Sequence, residues 1–185
     1  DVLGSRGLGD VYKRQSYRLL LDNICNSVLN NHHSLDKFFF GDGRLAVRVA
    51  PECREFFGID ISQKTVKRAK ENLKKQTNVT LVCGDFMSYE FGRKFDVIYS
   101  SLTFMHIKDK QAAINKVKTL LNISGRFVLS IDKSQGDTIE YGTRKIKIHH
   151  DRKEDIAEYI NQSGMSLIKV FETEFAEIFA AAKQN

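Results

Sequence analysis

Apolar positions along the chain fall into short blocks that alternate between two periods. Leu20, Ile24 and Val28 recur at helical spacing, with Leu19, Leu21 and Leu29 widening the stripe. This predicts an amphipathic helix of about four turns. Asn30, Asn31, His32, His33 and Ser34 then form a polar break. Phe38–Phe40 is a continuous apolar run ending at Gly41-Asp42-Gly43, the pattern of a buried strand entering a tight turn. Leu45, Ala46 and Val49 start a helix over Arg44–Ala50, which Pro51 is expected to stop.

The alternation then repeats. Glu55–Ile61 reads as a strand, and Ser62 caps a helix whose inner face is Val66, Ala69 and Leu73. Val79–Cys83 is a run of β-formers ended by Gly84-Asp85. Phe95–Ser100 is a fourth strand. Asp109 caps a helix carrying Ala113, Ile114, Val117, Leu120 and Leu121. Gly125 breaks it, and Phe127–Ile131 is the fifth strand. Strands that read as continuous apolar runs, separated by helices, predict an α/β fold: a doubly wound parallel sheet with helices on both faces.

The C-terminal third differs. Asp151 and Glu154 form a capping box for a helix over Arg152–Ser163, ended by Gly164. Leu167–Phe171 and Phe175–Ala182 follow as strands, with only Glu172–Glu174 between them. So short a link cannot hold a crossover helix, so the two must be antiparallel. Spacing thus predicts a seven-stranded sheet, mostly parallel, with an antiparallel last strand.

The 185 residues fit one domain, and 42% hydrophobic with 28% charged residues is the composition of a folded globular chain. No apolar run approaches the roughly 18 residues of a membrane span, and no signal peptide opens the chain. Cys25, Cys53 and Cys83 show no metal or disulfide spacing, so they read as reduced thiols of a cytoplasmic protein. The net charge is +6, with Lys64, Lys67, Arg68, Lys70, Lys74 and Lys75 along one helix. Without interleaved aromatics this is a solvated face, which argues against a nucleic-acid partner. Residues Asp1–Gln15 have no helical or strand period and resemble a translated adaptor sequence. They are set aside as a non-native tail, leaving 16–185 as the domain.

In a doubly wound sheet, ligands bind beyond the carboxyl ends of the strands. The candidates are therefore Gly41-Asp42-Gly43, Asp60, Asp85, Ser100-Ser101 and Asp132. Glycines after the first strand permit a tight turn and a close backbone approach. A carboxylate closing the second strand can accept from two ribose hydroxyls at once. Asp85 can accept from an adenine amino group.

The stretches GDGRLAVRVAPECREFFGIDIS (Gly41–Ser62), VTLVCGDF (Val79–Phe86), FDVIYSSLTFMHI (Phe95–Ile107) and GRFVLSID (Gly125–Asp132) together resemble the class I S-adenosylmethionine-dependent methyltransferase family. The resemblance runs from about residue 35 to the C-terminus. It implies a Rossmann-like fold, S-adenosyl-L-methionine as cofactor, and methyl transfer as the reaction. By resemblance, Gly41, Asp42 and Gly43 line the methionine and ribose part of the cofactor. Asp60 takes the ribose hydroxyls, with Ile61 beside it, and Asp85 with Phe86 frames the adenine. Ser100 and Ser101 close the pocket beneath the sulfonium.

One departure stands out. The family's first loop runs apolar-acidic-x-Gly-x-Gly-x-Gly. An ungapped match puts Phe39 at the first glycine and Lys37 at the acidic place. Alternatively Asp36 is the acidic residue and one residue is inserted. The departure reads as a variant loop, a shifted reading frame, or a degenerate, non-catalytic cofactor-binding relative. The rival NAD-type reading is weakened by the antiparallel C-terminal pair and by the lack of a full GxGxxG.

An acceptor that carries a proton needs a base, and His106, in the loop after the fourth strand, is the candidate. His149 and His150 lack a third ligand at fixed spacing, so no metal is expected. Lys133–His150, with Tyr141, Arg144 and Lys145, lies where this fold builds acceptor specificity. Ser100-Ser101-Leu102-Thr103 stands where an NPPY-type tetrapeptide would mark adenine or glutamine-amide methylation. The expected acceptor is a small molecule.

Overall fold

The computed structural model describes residues 36–40, 46–133, 136–141 and 144–184. Its centre is a seven-stranded sheet. The strands are β1 (Asp36–Phe40), β2 (Glu55–Asp60), β3 (Val79–Cys83), β4 (Phe95–Ser101), β5 (Leu121–Asp132), β8 (Met165–Glu172) and β9 (Ala176–Lys183). Their spatial order is β3-β2-β1-β4-β5-β9-β8. The first five run parallel, and β9 lies antiparallel between β5 and β8. A separate hairpin pairs β6 (Thr138–Tyr141) with β7 (Arg144–Lys147). That hairpin lies within the Lys133–His150 stretch; the extended run Thr143–Ile148 predicts its second strand, and its first, Thr138–Tyr141, is not anticipated.

The chain leaves β1, builds outward through β2 and β3, then crosses back to add β4 on the other side. The order therefore reverses at the β1/β4 boundary, where this class of sheet opens a crevice.

Helices cover both faces because alternate strand residues are apolar on both. One face presents Phe57, Ile98, Phe127, Leu129 and Phe179 to Ala113, Ile114 and Val117 of α3 (Lys110–Leu120) and to Ile156 and Ile160 of α4 (Lys153–Gln162). The other presents Phe56, Tyr99, Val128 and Ile178 to Ala46 and Val49 of α1 (Ala46–Val49) and to Leu73. Leu73 ends α2 (Gln63–Asn72), whose N-cap Ser62 accepts from the Thr65 N–H at 3.2 Å. Asp109 likewise caps α3, accepting from the Ala112 N–H at 2.9 Å.

Three local expectations differ from the structure. Pro51 does not end the chain's first described helical segment: α1 continues into a 3-10 turn, Ala50–Glu52, that holds Pro51 in its first positions, where its missing N–H costs nothing. Gly125 does not end α3, which stops at Leu120; instead it sits in β5, beside the register shift against β4. A Cβ there would lie 2.8 Å from the Asn122 carbonyl oxygen and 3.2 Å from that of Asp96, so only glycine fits. The capping box before α4 does not form. Arg152 is the N-cap without a side-chain cap, and Asp151 turns inward to Lys110. A buried ammonium without a counter-charge would cost more than an exposed helix cap contributes.

Phe39 lies in a regular strand, as the apolar run Phe38–Phe40 predicts. It pairs with Gly58 of β2 and Tyr99 of β4. Strand backbone accommodates any side chain-bearing residue, so nothing in β1 indicates a degenerate element. The expected helix around Ile24 and the tail 1–15 lie outside the described residues. No helix among the described residues is long and apolar enough to cross a membrane.

Candidate active site

Parallel pairing brings the strand ends level with one another. Phe40 pairs with Ile59 on one side and with Ser100 on the other, and Asp60 pairs with Cys83. The sequence-predicted residues after β2, β3 and β4 thus line one edge of the sheet, around the β1/β4 reversal. Gly41, Asp42 and Gly43, which follow β1, lie outside the described residues.

Asp60 is half-buried, and its Oδ1 accepts from the Ser62 N–H at 2.8 Å. This contact sets the carboxylate's direction as the chain turns from strand to helix. Next to it, Ile61 is 76% exposed, an apolar side chain left uncovered at a strand end. At the end of β3, the Gly84 N–H donates to the Asp60 carbonyl at 3.0 Å, tying the two strand ends together. Asp85 is exposed. Its Oδ1 accepts from the Met87 N–H at 3.0 Å, and its carbonyl accepts from the Tyr89 N–H at 2.9 Å.

Phe86 departs from the expected role. Its ring is only 5% exposed and packs in the core against Phe91, at 5.9 Å between centroids. It anchors the Asp85 turn from within the core. Lys116 of α3 reinforces the anchor. Its Nζ donates to the Met87 and Tyr89 carbonyls, both at 2.9 Å, and lies 5.4 Å from the Phe86 ring centroid.

After β4 the chain turns sharply. Ser100 is buried, and its hydroxyl bonds to that of Thr103 at 2.6 Å, so it braces the turn. The Ser101 hydroxyl is buried and has no hydrogen-bond partner among the described residues. Leu102 takes φ 53°, a left-handed conformation that costs a non-glycine residue roughly 1–2 kcal/mol. Such an outlier at a strand's carboxyl end belongs to a functional turn more often than to a structural one. A 3-10 turn, Phe104–His106, follows and places His106 at the surface.

His106 feels Asp60 from β2, Lys110 from α3 and Asp151 ahead of α4. Partial burial pushes its pKa below the ordinary value; Asp60 opposes that shift. An imidazole so placed is neutral at pH 7 and able to take a proton. Asp60, reached through β2, and His106, reached through β4, therefore interact across the reversal point.

Sequence reasoning missed Lys110 and Asp151. Their ion pair is 2.6 Å long, with the side chains 8% and 3% exposed. Burial pushes Lys110 down and Asp151 up, and each offsets the other's shift. A lysine in a helix's first turn was the available signal, because that end disfavours positive charge.

The family model described as a methyltransferase domain matches residues 40–129. An uncharacterised methyltransferase of Schizosaccharomyces pombe is 28% identical over 194 positions, covering 95% of this chain and 68% of that protein. One from Bacillus mycoides is 33% identical over 116 positions, 62% of this chain and 52% of its own length. The chain thus spans about half the length of that Bacillus relative. Among solved structures, an S-adenosylmethionine-dependent methyltransferase from Clostridium acetobutylicum matches with a TM-score of 0.77 at 16% identity, covering 98% of this chain and 99% of that one. At that identity the likeness speaks for the fold. With the sheet order and the row of acidic strand ends, these matches support a class I S-adenosylmethionine-dependent methyltransferase.

Proposed function

We propose that the chain binds S-adenosyl-L-methionine across the β1/β4 crevice and transfers its methyl group to a small-molecule acceptor. The observation that carries this is the end of β2. A directed, half-buried carboxylate, Asp60, stands beside an uncovered apolar side chain, Ile61. That pairing suits a nucleoside: the carboxylate accepts from the ribose diol, and the isoleucine covers one face of the base.

The remaining residues fit the same ligand. Asp85, held by its turn, accepts from the adenine amino group, while Phe86 anchors that turn from within the core. The sequence resemblance assigns the ribose and methionine part to Gly41, Asp42 and Gly43, which lie outside the described residues. The Ser101 hydroxyl, buried without a partner, donates to the ligand or to a water held with it. The cofactor supplies a methyl group activated by a positive sulfur, so this chain's residues need only orient the acceptor, exclude water and receive a proton. His106 receives that proton where the acceptor carries one. The hairpin β6–β7 and the run to His150 cover the acceptor side.

Thermal denaturation with added ligand tests this reading. S-adenosylhomocysteine is expected to raise the melting temperature in a concentration-dependent way, and NAD to leave it unchanged. Stabilisation by NAD and not by S-adenosylhomocysteine would transfer the chain to the dinucleotide-binding reading.

A further inference from the structure

Lys110 opens α3, directly after the cap Asp109, at the helix end where backbone dipoles disfavour a cation. It is nevertheless buried, and three acceptors surround its Nζ. The Phe104 carbonyl lies at 2.5 Å, the His149 carbonyl at 3.1 Å and Asp151 Oδ1 at 2.6 Å. The His149 N–H donates in turn to the Met105 carbonyl at 2.8 Å. These bonds join three segments that no sheet pairing connects: the 3-10 turn ending at His106, the run leaving β7, and the lead into α4.

A buried ion pair contributes little net stability compared with a well-packed apolar pair of the same volume. What this one does contribute is geometry. Lys110 bonds the turn from below, and Asp151 fixes where Lys110 points. His106 sits at the end of that turn.

We propose that Lys110 and Asp151 are positioning residues, a buried pair that fastens the His106 turn to the segment leaving the β6–β7 hairpin and holds His106 between two opposed charges. Its importance for catalysis rests on the reading of His106 as the acceptor's base; the fastening itself does not. Three charged groups face His106: Asp60 from β2, Lys110 from α3 and Asp151 ahead of α4. Asp151 favours the charged imidazole and Lys110 disfavours it, so removing one charge while the other persists acts on His106 in the opposite sense to removing the other.

The test is an NMR titration of the histidine side chains in the full chain without cofactor, with His106 assigned by comparison with His106→Gln. Asp151→Asn is expected to move the His106 titration to lower pH, and Lys110→Met to move it to higher pH. An unmoved titration in both variants, or shifts in the same direction, overturns the proposal. Should single charge deletions prevent folding, Lys110→Met/Asp151→Leu replaces the pair with apolar side chains and keeps the fold. In that variant the His149 amide is expected to exchange its hydrogen at least about tenfold faster, as one or two net hydrogen bonds are lost. Unchanged exchange there also overturns the proposal. Binding of S-adenosylhomocysteine is measured in parallel. Its absence, with the opposed shifts present, would reject the proposed function and leave the fastening intact.

Discussion

Replacing Lys116 by methionine isolates the clamp on the turn that carries Asp85. The lysine's Nζ holds two carbonyls, those of Met87 and Tyr89, and lies 5.4 and 5.6 Å from the Phe86 and Phe91 ring centroids. Hydrogen bonds from a charged donor contribute about 1.5–3 kcal/mol each when dry. Lys116 is only half-buried, and the freed carbonyls can reach water, so about 1 kcal/mol each is the better figure. The lost cation–π contact, about 0.5–1 kcal/mol, is largely offset by methionine's stem and its sulfur against the rings. The net loss is then about 2 kcal/mol, a fall in melting temperature of roughly 4–8 °C for a chain of this size. Because α3 and the sheet keep their packing, the loosening is local to residues 85–91, and affinity for S-adenosylhomocysteine should fall with it. Calorimetric melting together with titration of the ligand reads both. A melting temperature within about 2 °C of the parent, with unchanged affinity, would refute the clamp.

Two further outcomes follow from the structure. Phe39→Gly places glycine in a strand paired on both sides, so the variant should be less stable by at least about 0.5–1 kcal/mol from backbone freedom alone and should gain no cofactor affinity; tighter S-adenosylhomocysteine binding in urea-verified folded protein would restore the view of a damaged loop. His106 is held below its ordinary pKa of 6.5, first by partial burial, so between its folded value and 6.5 the unfolded chain binds more protons and stability rises with pH. Melting scans between about pH 5 and 7 should therefore show a smaller slope in His106→Gln than in the parent, and equal slopes would contradict the shift.

The strands were legible because both faces of the sheet are covered. Val97–Tyr99 and Phe127–Leu129 are consecutive apolar residues with no period-two alternation, and that is the mark of a strand buried on two sides. The antiparallel end was legible because three residues cannot cross a sheet. The row of Asp60, Asp85 and Ser101 followed from strand ends alone. What escaped depends on long-range electrostatics. Asp151 and Glu154 match a local capping signature, yet Asp151 is claimed by Lys110, 41 positions earlier in the chain (151 − 110). The one local trace, a lysine in a helix's first turn, does not say which carboxylate answers it. The burial of Phe86 escaped for a related reason. Its place after a glycine and an aspartate suits a ligand turn, but the cluster of Phe57, Tyr89, Phe91 and Phe95 draws its neighbourhood inward. The hairpin β6–β7 forms a sheet of its own, and its first strand, Thr138–Tyr141, alternates over only four residues, too short a run to separate strand from loop.

The central claim is that the carboxylate ending β2 holds the cofactor's ribose, and the most direct measurement is the affinity of Asp60→Ala for S-adenosylhomocysteine by isothermal titration. The variant should stay folded, because Asp60 is half-buried at a strand end and the Ser62 cap of α2 uses its own hydroxyl. Loss of charged hydrogen bonds to the ribose should weaken binding by about 1–3 kcal/mol, or roughly 5- to 150-fold. A folded Asp60→Ala variant that binds as tightly as the parent would contradict the account.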